Sequence, residues 1–363
     1  MDEQSPVSAA AGRVDRLFAL YPAVALALLL PIGAVTPLFP VELGVVVFAL
    51  GTLVIGMAHG AVDHLVPLRA SEVSLRRSVV VVSVIYAVLG GAVVAAFFLD
   101  PVAAFVGFIA LTWIHWGQGD VAALRVAGVD HLRTVGDRLL ALFVRGGLPM
   151  GVPLLSHPGE YRLVAEWIVG LFVADATAAA AAVDPVFTPT TRAGVGIAMG
   201  VATLAAVGVG GLRVRRQGAD RRGWLRDTGE IGVLWAWFLL AAPVFAIGVY
   251  FAGWHALRHV GRLLLVDDRA TIALANRETG VALRRFARDA APLTLGGFAV
   301  VAAVAAIAPA GVAEAGDLLA ASLVAIAAMT LPHVAVVAWL DLRQGVWRSE
   351  GSAESRDARS VRF

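Results

Sequence analysis

Long apolar stretches recur along the whole chain and constrain its fold more than any other feature. Three of them read LFALYPAVALALLLPIGAV, SVVVVSVIYAVLGGAVVAAFF and LLAASLVAIAAMTLPHVAVVAWL. Each approaches or exceeds the roughly 20 residues that a helix needs to cross a bilayer core. Hydrophobic residues make up 59% of the chain and charged residues only 15%, whereas soluble domains average roughly 45–50% and 25%. The sequence therefore predicts an all-α, polytopic bundle of transmembrane helices.

We predict about eight to ten spans. Residues 1–17 are predicted to be a polar N-terminal segment, 18–341 a single transmembrane catalytic domain, and 342–363 a polar, basic C-terminal tail. The weakest candidate span, 161–182, carries Glu166 and Asp175. The ten candidate spans are 18–38, 42–60, 79–99, 102–118, 139–156, 161–182, 193–211, 231–252, 291–309 and 317–338.

Arginine-rich connections suggest how the bundle is oriented. The positive-inside rule assigns 69–77, 258–288 and the C-terminus to the cytoplasm. Ten spans satisfy this assignment, with both ends inside, but they leave the basic loop 213–226 outside. Nine spans cannot place 213–226 in the cytoplasm together with the other basic segments either. We favour ten spans, because only then do the span ends that carry histidines lie on one side of the membrane. We expect the arginines of these loops to lie beside anionic lipid rather than nucleic acid.

Two residue types are missing, and each absence excludes a class of protein. The chain has no cysteine, which removes disulfides, zinc thiolate sites and cysteine nucleophiles. All of its 29 Lys and Arg residues are arginine. An opsin holds retinal through a lysine Schiff base, so the chain is not an opsin.

Four histidines end predicted spans, where buried ionisable groups usually mark function. His59 and His115 lie at the C-terminal ends of the spans 42–60 and 102–118, and the pair His255/His259 lies at the C-terminal end of the span 231–252. In the ten-span topology all three ends reach the same side, so the four imidazoles converge. The i, i+4 spacing of the pair also places both rings on one helix face. We predict a metal site, the alternative being interfacial histidines that contact lipid headgroups.

Neighbouring polar residues are candidates to support this site, because ligating histidines usually donate their other N–H to a carboxylate or carbonyl. Asp63, His64 and Asp120 are the candidates, and the alternative for the carboxylates is an interfacial pairing with arginine. Three other histidines are predicted to stay outside the site. These are His157 in a helix-ending turn on the opposite side, His333 in a structural role within the last span, and His131 in a solvated loop.

The type of ligand narrows the choice of metal. Imidazoles without thiolates suit iron, copper, zinc or nickel. An apolar pocket with open coordination positions fits ferrous iron and oxygen chemistry better than hydrolysis, which needs ordered water. Fe²⁺ is therefore the expected cofactor.

Five motifs in order, GMAHGAVDH, WIHWGQGD, GGLPMGVPLLSHPGE, WHALRH and LPHVAVV, resemble the Brp/Blh family of membrane β-carotene dioxygenases. The resemblance extends over residues 20–341. It implies an enzyme of the cell membrane that cleaves β-carotene with O2 at the central double bond into two molecules of retinal. The family's iron ligands correspond to His59, His115, His255 and His259. The resemblance also implies a functional link to a retinal-binding opsin.

Two rival functions remain at this point. A histidine-lined membrane transporter is one, although such proteins usually carry carboxylates inside their spans or internal repeats. Another membrane iron oxygenase acting on a lipid or carotenoid is the second. Di-iron desaturases and hydroxylases carry HxxHH-type boxes, and the chain has none.

Overall fold

The computed structural model describes residues 5–173 and 175–348. Every regular element in these ranges is a helix, which confirms the predicted fold class. The α-helices are α1 (Pro6–Asp15), α2 (Tyr21–Leu28), α3 (Leu30–Val35), α4 (Val41–Gly51), α5 (Val66–Ala70), α6 (Leu75–Leu99), α7 (Pro101–Val126), α8 (Val135–Ser156), α9 (Pro158–Gly170), α10 (Ala176–Val183), α11 (Pro189–Gln217), α12 (Arg221–Leu240), α13 (Pro243–Tyr250), α14 (Leu257–Val266), α15 (Asp268–Ala275), α16 (Thr279–Ile307) and α17 (Ala315–Arg343).

Short helices of other types connect several of these elements. Three are π-helical: Arg16–Leu20, Thr52–Gly56 and Phe251–Ala256. Three are 3₁₀-helical: Thr36–Leu38, Asp63–Leu65 and Asp184–Phe187. Single π-helical turns widen a helix locally and are frequent at functional sites. The segment Thr52–Gly56 ends three residues before His59, and the segment Phe251–Ala256 contains His255.

Six helices of the described chain are long and apolar enough to cross a membrane: α6, α7, α8, α11, α16 and α17. The segments Pro6–Leu28 and Leu30–Leu38 meet at a bend of 45° and together form a seventh candidate. The chain is therefore a multi-pass membrane protein. Its helices pack as one bundle, with α7 against α8, α6 against α17 and α4 against α13.

Four of the ten predicted spans are not single straight helices, the first being 18–38 with its 45° bend, so the described chain offers six or seven candidate spans rather than eight to ten. The segment 42–60 ends its helix at Gly56 and turns, whereas 161–182 divides into α9 and α10. The segment 231–252 breaks at Ala241, whose backbone is extended immediately before the N-terminus of α13. Pro243 lacks the N–H that a continuous helix requires, which explains the position of this break.

Both terminal segments contribute to packing. The predicted polar segment 1–17 contains α1, whose Ala10 and Val14 are buried in the core. In the predicted tail 342–363, Val346 and Trp347 pack with Leu132. Residues 349–363 of that tail lie outside the described residues.

Glycines allow α7 and α8 to approach closely. A Cβ atom added to Gly146 would lie 1.8 Å from the carbonyl oxygen of Trp113, and one added to Gly117 would lie 2.1 Å from that of Leu142. Small residues commonly permit such backbone contact between membrane helices. The crossing fixes α7, the helix that carries His115, against its neighbour.

Candidate metal centre

The structure brings the four predicted histidines together. His59 lies in the turn after Thr52–Gly56, His115 in α7, His255 in the segment Phe251–Ala256, and His259 in α14. The ring centre of His59 is 5.3 Å from that of His255, 5.7 Å from His259 and 6.4 Å from His115. The four histidines therefore converge as predicted, although His115 lies within α7 and the pair lies within the continuous helical run 243–266 rather than at helix ends.

A fifth imidazole, that of His333 in α17, lies between the other rings. Its ring centre is 5.1 Å from His59, 4.8 Å from His115 and 4.9 Å from His259. Each distance is shorter than any that separates those three rings from one another, which range from 5.7 to 6.5 Å. The sequence pattern favours a structural role for His333, but its ring lies between those of His59, His115 and His259.

Hydrogen bonds at the outer ring atoms leave lone pairs directed into the cluster. Nδ1 of His59 donates to the carbonyl oxygen of Gly56, so its Nε2 keeps the lone pair. Nε2 of His259 and Nε2 of His333 are buried and have no hydrogen-bond partner. Because buried polar atoms in proteins nearly always have a partner, these two nitrogens mark a place that could hold an ion.

These donor atoms fit a metal ion. His59, His115 and His333 offer ligand atoms that all lie within 4.8 Å of one another. Asp63, His259 and His333 form a second group that meets the same criterion. In addition, Nε2 of His115 and Nε2 of His255 lie only 3.1 Å apart. A cation bound among several neutral imidazoles satisfies the lone pairs that are otherwise unpaired.

The three predicted supporting residues differ in what they contact. Asp63 is buried, and its Oδ2 accepts a hydrogen bond of 2.7 Å from Nδ1 of His333 rather than from His59. Asp120 contacts Arg145 and Arg258 rather than a histidine, so it pairs with arginine instead of orienting an imidazole. His64 belongs to neither group of ligand atoms.

A buried ion-pair network lies beside the histidines, centred on Arg145 of α8. This guanidinium is fully buried. It contacts Asp120 of α7 at 2.6 Å, Asp227 of α12 at 2.8 Å and Glu230 of α12 at 2.8 Å. Arg145 lies inside the predicted span 139–156, and an arginine within a span is a signal of function that histidine positions alone do not reveal.

Arg258 connects this network to the histidine-bearing helix α14. It lies between the two histidines at 255 and 259 and contacts Asp120 at 3.3 Å and Glu230 at 2.9 Å. His131, predicted to be solvated, is instead buried and lies 2.9 Å from Asp227. Ion pairs therefore fix the helix of His115 relative to that of His255 and His259.

A second network joins α7, α14 and α17 on the same side of the cluster. Arg262 of α14 contacts Asp341 of α17 at 2.6 Å, and Gln118 of α7 donates to Asp341 at 2.7 Å. Arg262 and Gln118 each lie three residues after a histidine of the cluster, His259 and His115 respectively. Asp341 of α17 thus connects α7 and α14, so that three of the helices that carry imidazoles are joined close to their histidines.

On the other side of the histidines, the bundle encloses an apolar cavity of about 450 Å³. Its walls run along α7 from Phe105 to Trp116 and along α17 from Leu319 to His333. At 1.5 Å per residue, the distance from Phe105 to His115 along α7 is about 15 Å. The rings of His59, His115 and His333 form part of the cavity wall, so a molecule inside it reaches the imidazoles directly.

The remaining polar residues singled out in the sequence lie outside the cluster. His157 follows α8 and its Nδ1 lies 2.9 Å from the hydroxyl of Ser156. Glu166 pairs with Arg162 at 2.7 Å. Asp175 accepts the backbone N–H of Ala178 and caps α10. We find no role for any of these three at the histidines.

A sequence model of the β-carotene 15,15'-dioxygenase family matches residues 50–341. The chain belongs to this family. The match includes all five clustered histidines as well as Arg145 and Asp63. The resemblance to the Brp/Blh family that the sequence motifs predict is thereby confirmed.

Two relatives of this dioxygenase family member come from Halobacterium salinarum, and both are named probable β-carotene 15,15'-dioxygenases. Blh is 41% identical over 298 residues, which cover 81% of this chain and 83% of Blh. Brp is 32% identical over 325 residues, which cover 85% of this chain and 86% of Brp. No solved structure matches the chain significantly.

Proposed function

We propose that this family member cleaves β-carotene at its central double bond with O2 and releases two molecules of all-trans-retinal. The proposed iron ligands are His59, His115, His255 and His259. The observation that carries the proposal is a cluster of imidazoles of which His59, His115 and His333 line the wall of an apolar cavity among apolar helices long enough to cross a membrane. The names of Blh and Brp support the choice of substrate and reaction.

The cavity suits a hydrocarbon dissolved in the bilayer. Its lining is dominated by aliphatic and aromatic side chains, such as Phe108, Ile109 and Leu323. Apolar surface kept from water contributes about 25 cal/mol per Å² to binding. A rigid polyene held along α7 and α17 is fixed in position relative to the histidines, and such positioning lowers the barrier of a reaction between two bound partners.

Bound Fe²⁺ would supply the redox chemistry that lets O2 react with a carbon–carbon double bond. In the balanced reaction, both atoms of one O2 molecule enter the products, one in each aldehyde, as the double bond is cleaved. The protein's own residues hold the imidazoles in fixed orientations, through Gly56 at His59 and Asp63 at His333. The apolar walls exclude water from the polyene.

We place the enzyme in the cell membrane, because its substrate dissolves in lipid. The bilayer then delivers β-carotene and receives retinal without passage through water. Retinal is the chromophore of retinal-binding opsins, so such an opsin is the proposed consumer of the product. Neither ion-pair network has a place in this exchange, because both lie on the opposite side of the histidines from the cavity.

The test is expression in a host that accumulates β-carotene, with carotene and retinal quantified by chromatography. We expect loss of colour and two retinals for each β-carotene consumed. Substitutions His59→Ala, His115→Ala, His255→Ala and His259→Ala should each abolish retinal formation. His157→Ala is the matched control, because that histidine lies outside the cluster.

Absence of any cleavage product from folded protein would contradict the proposal and favour the transporter. Products of other lengths would indicate a different membrane oxygenase. Full activity in any one of the four variants would remove that histidine from the ligand set. Iron content and the folded fraction of the purified variants are measured in parallel. A folded variant without iron has lost a metal ligand, whereas an unfolded variant says nothing about the ligands.

A further inference from the structure

Asp63 differs from the other buried carboxylates of the described chain. Those five each contact at least one arginine within 3 Å: Asp120, Asp227, Glu230, Asp267 and Asp341. Asp63 is only 1% exposed, yet its ring partner is His333, an imidazole that is charged only when both of its nitrogens are protonated, and no arginine contacts it there. A buried carboxylate without a cationic partner is costly, so its charge needs another source of balance.

The contacts of Asp63 define how it acts. Its Oδ2 accepts two hydrogen bonds of 2.7 Å, from the hydroxyl of Tyr86 and from Nδ1 of His333. Its Oδ1 has no hydrogen-bond partner in the structure. Since Oδ2 is an acceptor, the proton of His333 resides on Nδ1 and the lone pair on Nε2. That Nε2 is buried and has no partner, and His333 belongs to both groups of residues whose ligand atoms lie within 4.8 Å of one another.

We infer that His333 is a fifth metal ligand through Nε2 and that Asp63 is its positioning residue, whose negative charge is balanced by the bound cation. A carboxylate, an imidazole and a metal ion in this order form a common arrangement in metalloproteins. Tyr86 donates to the same carboxylate oxygen as His333 and so helps to fix its position. This inference rests on the metal centre of the proposed function and adds a ligand and a charge to it.

Thermal unfolding of the full-length protein in detergent micelles, with and without Fe²⁺ under anaerobic conditions, tests the charge balance. In the metal-free protein, Asp63→Asn removes a buried charge that no cation balances and should raise the midpoint temperature of unfolding. In the Fe²⁺-loaded protein, the same substitution should lower the midpoint. The sign reversal is specific to a charge that the metal balances, and a purely structural role would not produce it.

The matched control is Asp267→Asn. Asp267 is also buried, but Arg69 and Arg285 contact it at 2.8 and 2.7 Å. Its substitution should lower the midpoint by the same amount with and without Fe²⁺. If Asp63→Asn behaves like this control, the inferred role of Asp63 is wrong.

Competition with a chelator measures the affinity for Fe²⁺ directly. Substitutions of groups that hold a ligand typically weaken metal binding roughly tenfold to hundredfold. We expect His333→Ala and Asp63→Asn to fall in this range, and Asp63→Glu to restore part of the affinity. His333→Gln serves if the alanine variant does not fold. Wild-type affinity in a folded His333 variant would overturn the inference.

The double variant Asp63→Asn/His333→Ala shows whether Asp63 acts through the imidazole. Residues that act through one contact are not additive, so the double variant should bind Fe²⁺ no more weakly than His333→Ala alone. Additive losses would mean that Asp63 binds the metal itself, contrary to the inference. A wild-type protein that binds no metal would instead remove the metal centre of the proposed function.

Discussion

On one side of the histidine cluster the bundle encloses an apolar cavity, and on the other side it encloses arginines and carboxylates. The cavity wall is built from side chains such as Phe108 and Leu323. The opposite side holds Arg145, Arg258 and their buried partners. The difference assigns separate tasks to the two regions. The apolar region provides the largely uncharged surface that a hydrocarbon needs. The charged region connects the helices that carry the five imidazoles, which come from distant segments of the chain.

The largest effect is expected from breaking the charged region at Arg145. Arg145→Leu leaves Asp120 without its 2.6 Å partner and removes one cation from Asp227 and Glu230. Removing one member of a buried ion pair costs about 3–5 kcal/mol. We expect most of the protein to be lost from the folded fraction, as measured by size-exclusion chromatography after mild heating.

Arg288→Leu is the control for this substitution, because that side chain is 70% exposed and pairs only with Asp289 at 2.8 Å. It should leave the folded fraction nearly unchanged. A folded and heat-resistant Arg145→Leu protein would mean that the ion pairs do not hold the bundle together.

A smaller effect is expected in the apolar region, from adding one hydroxyl to the substrate. A buried hydroxyl without a hydrogen-bond partner costs roughly 1–3 kcal/mol, so a mono-hydroxylated β-carotene should be cleaved more slowly than β-carotene at limiting concentration. Zeaxanthin, with a hydroxyl on each ring, should be slower again. Equal rates for β-carotene and zeaxanthin in micelles would mean that the ring ends lie in a wet or open region.

The smallest effect is expected at Trp254, which lies beside the charged region, and it concerns the free energy of unfolding. Trp254 donates to both oxygens of Asp120, at 3.0 and 3.2 Å, and its ring lies 3.8 Å from the guanidinium of Arg258. Trp254→Phe keeps an aromatic ring and removes the donor. Because Asp120 retains both arginines, we expect a loss of only about 1 kcal/mol in unfolding free energy.

Thermal unfolding of the Trp254→Phe variant, compared with Trp347→Phe, provides the measurement. Trp347 donates at 3.0 Å to Asp341 in the second network and should give a loss of similar size. A loss as large as that of Arg145→Leu would show that the indole, rather than the ion pairs, holds the charged region.

The apolar region was predictable from the sequence, and the charged region was not. Hydropathy alone identifies α6, α7, α16 and α17, which line much of the cavity. The positions of His59, His115 and the 255/259 pair at predicted span ends pointed to their convergence, although the described chain offers six or seven candidate spans rather than the predicted ten. Hydropathy windows do not detect a break such as the one at Ala241, which depends on a proline two residues later. Two arginines lie within predicted spans, Arg145 and Arg162, and the first of them was the available sequence signal for the charged region.

His333 shows why one member of the cluster was harder to predict than the other four. It lies within a span rather than at its end, so the criterion that selected the other four histidines did not apply. Its partner Asp63 is 270 positions away in the sequence. The approach of α17 to the turn after Gly56 depends on side-chain packing, which no local pattern specifies.

The central claim is that the imidazoles at the border of these two regions hold the iron that cleaves β-carotene. Its most direct test is single-turnover cleavage by anaerobically purified, metal-free protein after addition of one equivalent of Fe²⁺ and then O2. We predict no product without iron, and two retinals per β-carotene with it. Cleavage that persists in the metal-free protein, or iron binding that survives loss of His59, His115, His255 and His259 together, would contradict the account.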